Sequence, residues 1–175
     1  MEFNLTKEQE EIRRMIREFA ERKLAPIATK IDREAKIPPD IHPELQKLRL
    51  FGIPYDKKYG GGGESYIELV LVIEEVAKAS AAVSVGLAAH YLAPISLSLY
   101  GTDEQKEQYL PKLCSGEDIG SLAFTEAATG SDPEAITTAA ELSGDGYILN
   151  GSKRTITNAP FGWFSNYLRQ DGQRG

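Results

Sequence analysis

The sequence predicts a chain in two parts, a helical bundle over residues 1–116 followed by an antiparallel β domain over residues 117–175. Three observations carry this. Hydroxyl residues with Gln or Glu three positions later recur ahead of apolar stripes at helical spacing, as far as Gly116. Beyond Gly116 the apolar runs become short and β-branched, and glycine pairs separate them. No alternation of strand with helix suggests parallel βαβ units.

Thr6 with Gln9 forms the first capping box, and Ile12, Met15, Ile16, Phe19 and Ala20 then repeat on one face until Pro26. A second helical piece is expected over Ile31 to Ala35, closed by "KIPPD". Ile41, Leu45 and Leu48 predict a short amphipathic helix that Gly52 ends. "YGGGGES", Tyr59 to Ser65, reads as a flexible loop into the next box, Ser65 with Glu68, and the stripe Leu69, Val72, Ile73, Val76. No Lys-Ser/Thr follows the four glycines and no strand precedes them, so a helix connection is favoured over a phosphate loop. From Ala79 to Tyr100 there is no Asp, Glu, Lys or Arg, a stretch long enough to span a bilayer. It is built of Ala, Ser and Gly with His90 and Pro94, and lacks flanking basic clusters. Buried helix of a bundle is therefore the expectation, with no membrane partner. Thr102 with Gln105 caps a last helix carrying Tyr109, Leu110 and Leu113.

Strands are expected at Ile119–Phe124, Ile136–Leu142, Tyr147–Leu149 and Thr155–Ile156. Asp145-Gly146 and Asn150-Gly151 are hairpin signals. "GWFSNYL" supplies one more strand candidate, and at Gly175 the β domain reads as unfinished, with an edge still to be paired.

Composition narrows the function classes. A hydrophobic content of 41% over 175 residues suffices for a real core. Twenty basic residues against twenty-six acidic give a net charge of −6, and no Lys/Arg stripe is present to track phosphates, so nucleic acid is excluded as an expected partner. The single Cys114 forms no internal disulfide or multi-cysteine metal site and is expected to be a small buried hydrophobe in a reducing compartment. The acidic start "MEFNLTKEQEEIRR" lacks the character of a signal or transit peptide, which makes the cytoplasm the expected location. His90 reads as a satisfied buried histidine and His42 as a surface residue at a helix start. Two distant histidines predict no metal site.

Chemistry concentrates in "LAFTEAATGSD", Leu122 to Asp132. Alone it fits either a polar connection with a Ser/Thr turn or a cofactor contact. Glycine at 130 would be needed if backbone approaches a ligand closely or takes positive φ.

What flanks the loop carries a resemblance. "GTDEQKEQYLPKLCSGEDIGSLAFTEAATGSD" is similar to the acyl-CoA dehydrogenase family, whose YLP-x-L segment runs into a TEP-x-AGSD loop. "LTKEQEEIRRMIREFAERKLAP" resembles that family's first helix, "KYGGGG" its YGG loop, and "GYILNGSKRTITNAP" its hairpin ending in K-x-aromatic-I-T-N. The match runs through nearly the whole chain in consistent order. Family members are about twice as long, so the resemblance covers the N-terminal all-α bundle and the first part of a middle antiparallel β-barrel. A C-terminal helical domain is expected to be missing.

The resemblance implies FAD as cofactor and an acyl-CoA thioester as substrate, oxidised to the 2,3-enoyl thioester with hydride passing to flavin N5. Leu122, Phe124, Thr125, Gly130, Ser131, Thr155, Ile156 and Thr157 are the implied cofactor-binding residues. Ser131, Val83 and Gly86 are implied to border the substrate. The resemblance implies a catalytic Glu carried on the C-terminal domain expected to be missing, and neither Glu126 nor Asp132 is assigned to that role. Electron-transferring flavoprotein and further copies of the chain, as dimer or tetramer, are the implied partners. The alternative is a non-catalytic fragment acting as an acyl-thioester-binding or oligomerisation module. Two departures from the family pattern stand near the flavin. Ala127 and Thr129 replace Pro and Ala and are expected to loosen the loop. Thr155 replaces the family's Trp or Phe, with Phe161 or Trp163 the aromatic residues left to cover that face.

Overall fold

The computed structural model describes residues 4–160 and the backbone of 164–167. Phe161 and Trp163 lie outside the residues whose side chains are described.

Each of the three capping boxes forms and starts a helix. Thr6 Oγ1 accepts from Gln9 N at 3.2 Å while Gln9 Oε1 accepts from Thr6 N at 3.0 Å, opening α1 (Lys7–Phe19). The chain then widens into a π-helical turn at Ala20–Leu24 and tightens into a 3₁₀ turn at Ala25–Ile27. Pro26, which lacks an N–H to donate, sits at the start of that 3₁₀ turn. Next comes α2 (Ala28–Glu34), which begins three residues ahead of the expected Ile31 because the 3₁₀ turn leads directly into it. It ends at Ala35 in the left-handed region, φ 48°. The short helix predicted around Ile41 is α3 (Ile41–Lys47). Ser65 and Thr102 cap α4 (Tyr66–Ala79) and α6 (Asp103–Ser115), and between them runs α5 (Ala81–Tyr100).

The glycine loop is tied to the preceding chain along its backbone. Gly62 and Gly63 donate to the carbonyls of Gly52 and Tyr55 at 2.9 and 2.8 Å, and Glu64 donates to Ile53 at 3.1 Å. A Cβ at Gly61 would stand 2.1 Å from Tyr55 O, so glycine is required there by close backbone approach. Amides consumed in this way cannot cradle a phosphate.

α4 and α5 lie side by side, α1 packs across α4, and the shared core holds Ile16, Val72, Val76, Val83, Leu110 and Leu113. Full burial of each such side chain contributes roughly 1.5–3 kcal/mol. α5 is long and apolar enough to cross a membrane by length and composition, yet Val83, Leu87, Tyr91 and Leu97 turn into this core.

An ion cluster fixes α1 on α4. Glu75, 1% exposed, accepts from Arg17 Nε and Nη2 at 3.0 Å each, from Arg13 Nε at 3.2 Å and from Lys78 Nζ at 2.8 Å. The Arg17 guanidinium, above the other donors, pulls the Glu75 carboxyl down to about 2.

The β part has two pairs of strands. β1 (Gly120–Ala123) runs parallel to β4 (Phe164–Tyr167), with Gly120 opposite Phe164. β2 (Ala139–Ser143) and β3 (Gly146–Asn150) form the expected antiparallel hairpin, Ser143 opposite Gly146. The β1–β4 pairing is parallel because the long stretch from 124 to 163 lets the chain cross over, which no tight turn could do. The hairpin turn is Gly144-Asp145, with Gly144 at φ 62°, one residue ahead of the expected Asp145-Gly146. Asn150-Gly151 is not a turn between strands but the end of β3. Among the described residues the sheet does not close, and the barrel is partial.

His90 fastens β1 to α5. Its Nδ1 accepts from Gly120 N at 3.0 Å, so Nε2 carries the hydrogen and donates to Phe51 O at 3.1 Å. Burial, above all, lowers its pKa to about 4.

Two stability measurements test these assignments. The Glu75 carboxyl lies near 2 when folded and 4.5 when unfolded, so its contribution of about 3 kcal/mol is present above pH 4.5 and disappears toward pH 2. Glu75→Gln should lower urea-unfolding stability by about that amount at pH 7, and an unchanged midpoint would contradict the cluster's role. His90 stays neutral when folded while its unfolded form protonates below 6.5. Stability should therefore decline as pH falls from 6.5 toward 4, with a slope that flattens in His90→Gln.

Candidate functional site

The loop after β1 is tied closed by its own polar groups. Glu126 N donates to Thr129 O at 2.9 Å, and the Thr129 hydroxyl donates to the carbonyl of Asp132. The Asp132 carboxylate accepts from Glu134 N at 3.0 Å and caps the 3₁₀ turn Pro133–Ala135. Thr129, 7% exposed, thus tightens the loop that a threonine there was expected to loosen, because its hydroxyl finds a carbonyl within reach.

Behind the loop sits Glu126, 4% exposed. Oε2 accepts from the N and Oγ1 of Thr137 at 2.8 and 2.6 Å, and Oε1 accepts from the N and Oγ1 of Thr138 and from Lys153 Nζ at 2.9 Å. The Thr137 hydrogen bonds, followed by those of Thr138 and Lys153, hold this carboxyl far below the usual range. A carboxylate occupied by five donors is a fixed anion and a poor proton acceptor.

Lys153 is equally buried and reaches a second acceptor, Phe124 O, at 2.9 Å. Arg154 N donates to Thr125 O at 2.9 Å. Two segments far apart in sequence, 122–131 and 153–158, are thereby locked edge to edge. Asn158, in the left-handed region at φ 67°, finishes the join by donating to Gly86 O on α5 at 2.8 Å and to Gly120 O on β1 at 3.2 Å. Left-handed backbone suits asparagine better than most residues.

The predicted site residues take distinct places within this frame. Leu122, Phe124 and Thr125 are half-buried at the end of β1 and start of the loop, next to Ile156 and the exposed Thr155 and Thr157. Gly130 and Ser131 are exposed at the loop's outer part. The hydroxyls of Thr125, Ser131 and Thr157 have no partner among the described residues. Gly86 comes beside Thr157 through Asn158. Val83, three residues back along α5 and 2% exposed, belongs to the helical core. An open cleft of about 570 Å³ lies alongside, lined by Ala123, Thr138, Leu149, Lys153 and Ile156 among others. Of the predicted residues, Ile156 alone lines it.

Gly130 needs neither of the conformational reasons an isolated chain could give. Its φ is not positive, and an added Cβ would meet only Thr125 Cγ2, at 3.9 Å. Among the described residues nothing crowds the position, which leaves the backbone open to approach by a further group. Together with three unengaged hydroxyls and the backbone of 122–125, this is a surface suited to the polar edge of a flat heterocycle.

Thr155 differs from its expectation. The predicted strand at Thr155–Ile156 does not form, because Thr155 adopts φ 53° and its hydroxyl donates to Arg154 O at 2.7 Å. His42 is half-buried, with Nε2 2.8 Å from Gly116 O and its ring 5.0 Å from that of Phe51. Among the described residues no group of three or more His, Cys, Asp or Glu could hold a metal. Lys153, Asn158, Thr137 and Thr138 were not singled out by sequence. Lys153 and Asn158 stand inside the hairpin motif, but a lysine in sequence reads as a solvated charge until its buried partner, 27 positions away, is seen.

Comparison with known proteins agrees with this geometry. The family profile described as acyl-CoA dehydrogenase, N-terminal domain, matches residues 6–117, and that of the middle domain matches residues 121–173. The short-chain specific acyl-CoA dehydrogenase of Clostridium acetobutylicum is 43% identical over 159 residues, covering 90% of this chain and 42% of that protein. A structure described as the electron transferring flavoprotein of Acidaminococcus fermentans superposes with a TM-score of 0.87 at 36% identity, over 93% of this chain and 43% of that one. A glutaryl-CoA dehydrogenase from Mycobacterium smegmatis in complex with FADH2 gives 0.89 at 28% identity, over 95% of this chain and 43% of that one. The chain thus spans about two fifths of the length of these relatives.

A β-branched residue in the left-handed region costs about 1–2 kcal/mol. Thr155→Gly should therefore raise unfolding stability by about 1 kcal/mol, measured as an upward shift of the thermal midpoint. A lower midpoint would show that Thr155 holds this conformation without strain.

Proposed function

We propose that this chain, which belongs to the acyl-CoA dehydrogenase family, forms the flavin- and thioester-facing part of an FAD-dependent acyl-CoA dehydrogenase. One observation carries the reading. Residues 122–131 and 153–158 are clamped side by side by Lys153 and Arg154, with the hydroxyls of Thr125, Ser131 and Thr157 left over. When bound, FAD supplies the acceptor for the hydride that leaves the β-carbon of a saturated acyl thioester.

The chain's own residues bind and orient. Thr125 and the backbone from Leu122 meet the ring edge, where fixed dipoles stabilise negative charge as it develops. Gly130 lets backbone come close to the cofactor. Ser131 would serve both cofactor and thioester, and Thr157, next in sequence to the Asn158 that bonds Gly86, would offer its hydroxyl to the ring from the other segment. Thr155 stands where the family pattern has Trp or Phe, with Phe161 and Trp163 the aromatic residues left to cover that side. Glu126 serves the loop, since five donors already occupy its oxygens.

Electron-transferring flavoprotein as electron acceptor belongs to the same reading, supported by the resemblance to a chain of the Acidaminococcus structure, and assembly with further copies rests on the family resemblance alone. A cytoplasmic setting is part of the proposal and rests on the sequence alone, whose single cysteine forms no internal disulfide.

Titration with FAD, followed by quenching of flavin fluorescence, tests the proposal. Saturable binding, with a flavin spectrum that changes again when butyryl-CoA is added anaerobically, is the expected outcome; protein that takes up no FAD would refute it. Gly130→Ala should weaken FAD about tenfold, a difference of ~1.4 kcal/mol, while leaving the thermal midpoint in place. Equal affinity in the two forms would show that nothing approaches the loop at that point.

A further inference from the structure

We infer that Lys153, through its buried ion pair with Glu126, is a positioning residue that presets the Thr125 amide for the flavin edge. The inference rests on the flavin reading above.

The geometry concerns one peptide unit. Lys153 Nζ donates to Phe124 O at 2.9 Å and to Glu126 Oε1 at 2.9 Å, with both side chains about nineteen-twentieths buried. The described residues contain no cis peptide, so the Phe124 carbonyl and the Thr125 N–H point in opposite directions across a planar group. Drawing the carbonyl inward to the ammonium turns the Thr125 N–H outward. The next unit is fixed as well, since Thr125 O accepts from Arg154 N and Glu126 N donates to Thr129 O, each at 2.9 Å. Across these two units the Thr125 N–H alone lacks a partner among the described residues.

Stability is a weak reason for such an arrangement. Moving an ammonium and a carboxylate out of water costs about as much as their attraction returns, and apolar replacements of buried pairs are often neutral or stabilising. Direction is what a charged pair adds. A buried ammonium must satisfy its hydrogens, and here the available acceptors are the Glu126 carboxylate and one specific carbonyl of the cofactor loop. Glu126 is anchored in turn by Thr137 and Thr138, so the position of Lys153 is set from behind, independently of whether cofactor is present.

The test compares FAD affinity with fold stability. The double variant Lys153→Met, Glu126→Gln removes both charges together; the glutamine oxygen accepts from one of the two threonines while its amide meets the N–H of the other, so the midpoint should fall somewhat. FAD should bind at least tenfold more weakly to the folded variant, with altered vibronic structure in the flavin absorbance band. Lys153→Arg keeps the charge, and with it the fold, but its planar fork cannot give the same two bonds; weaker FAD binding is again expected. In the wild-type protein, FAD should slow hydrogen exchange of the Thr125 amide. Wild-type affinity and spectrum in both variants, or a Thr125 amide indifferent to FAD, would overturn the inference and leave the flavin reading intact. Wild-type protein that binds no FAD would overturn both.

Discussion

The imidazole of His90 is the point on which the two parts of this protein meet. It lies fully buried, accepts a hydrogen bond from Gly120 and donates one to Phe51, and so joins the loop between α3 and α4, the long helix α5 and the first strand. A neutral ring with one donor and one acceptor can do this without burying a charge, which agrees with a pKa brought down to about 4 by burial. Phe51 and Tyr91 pack edge-on around it, at 5.1 and 5.4 Å between centroids. That contact sets β1 beside α5, and Asn158 adds a second attachment through Gly86.

From β1 outward the polar groups do the work that apolar packing does in the bundle. The hairpin β2–β3 exposes Leu142, Tyr147 and Ile148, and two strands alone bury little. Order in the loop comes instead from bonds that each have one possible geometry: Glu126 to the two threonines, Lys153 to Phe124, Asn158 to Gly86 and Gly120. Such a network holds a surface in one shape without covering it, as a ligand-facing surface requires. The helical part shows the complementary case. Glu75 and its three cations lie over a full apolar core, where they fix the register of α1 on α4.

Much of this was legible in the amino-acid order. The three capping boxes, the stripes behind them and the change of period at Gly116 are local patterns, and local hydrogen-bond geometry makes them form wherever they occur. The loop motif and the hairpin motif pointed to the family. Less legible were features in which one residue overrides its own propensity. Thr155 is β-branched and reads as strand, yet it turns into the left-handed region between two residues tied to other segments, Arg154 and Asn158. The glycine loop reads as flexible, yet its amides are spent on the chain from Gly52 to Tyr55.

By itself the sequence determined where the three capped helices begin, that helical period gives way to strand period near Gly116, and which family the chain belongs to. Those depend on residues within a few positions of one another. Tertiary structure decided the roles of charged and polar side chains. Lys153 became a buried clamp because Glu126 was folded beneath it, Thr129 a tie because a carbonyl lay within reach, and Val83 core because α5 turned that face inward. A charge or hydroxyl has no fixed role in sequence, since its free energy depends on what surrounds it, and only the fold supplies the surroundings.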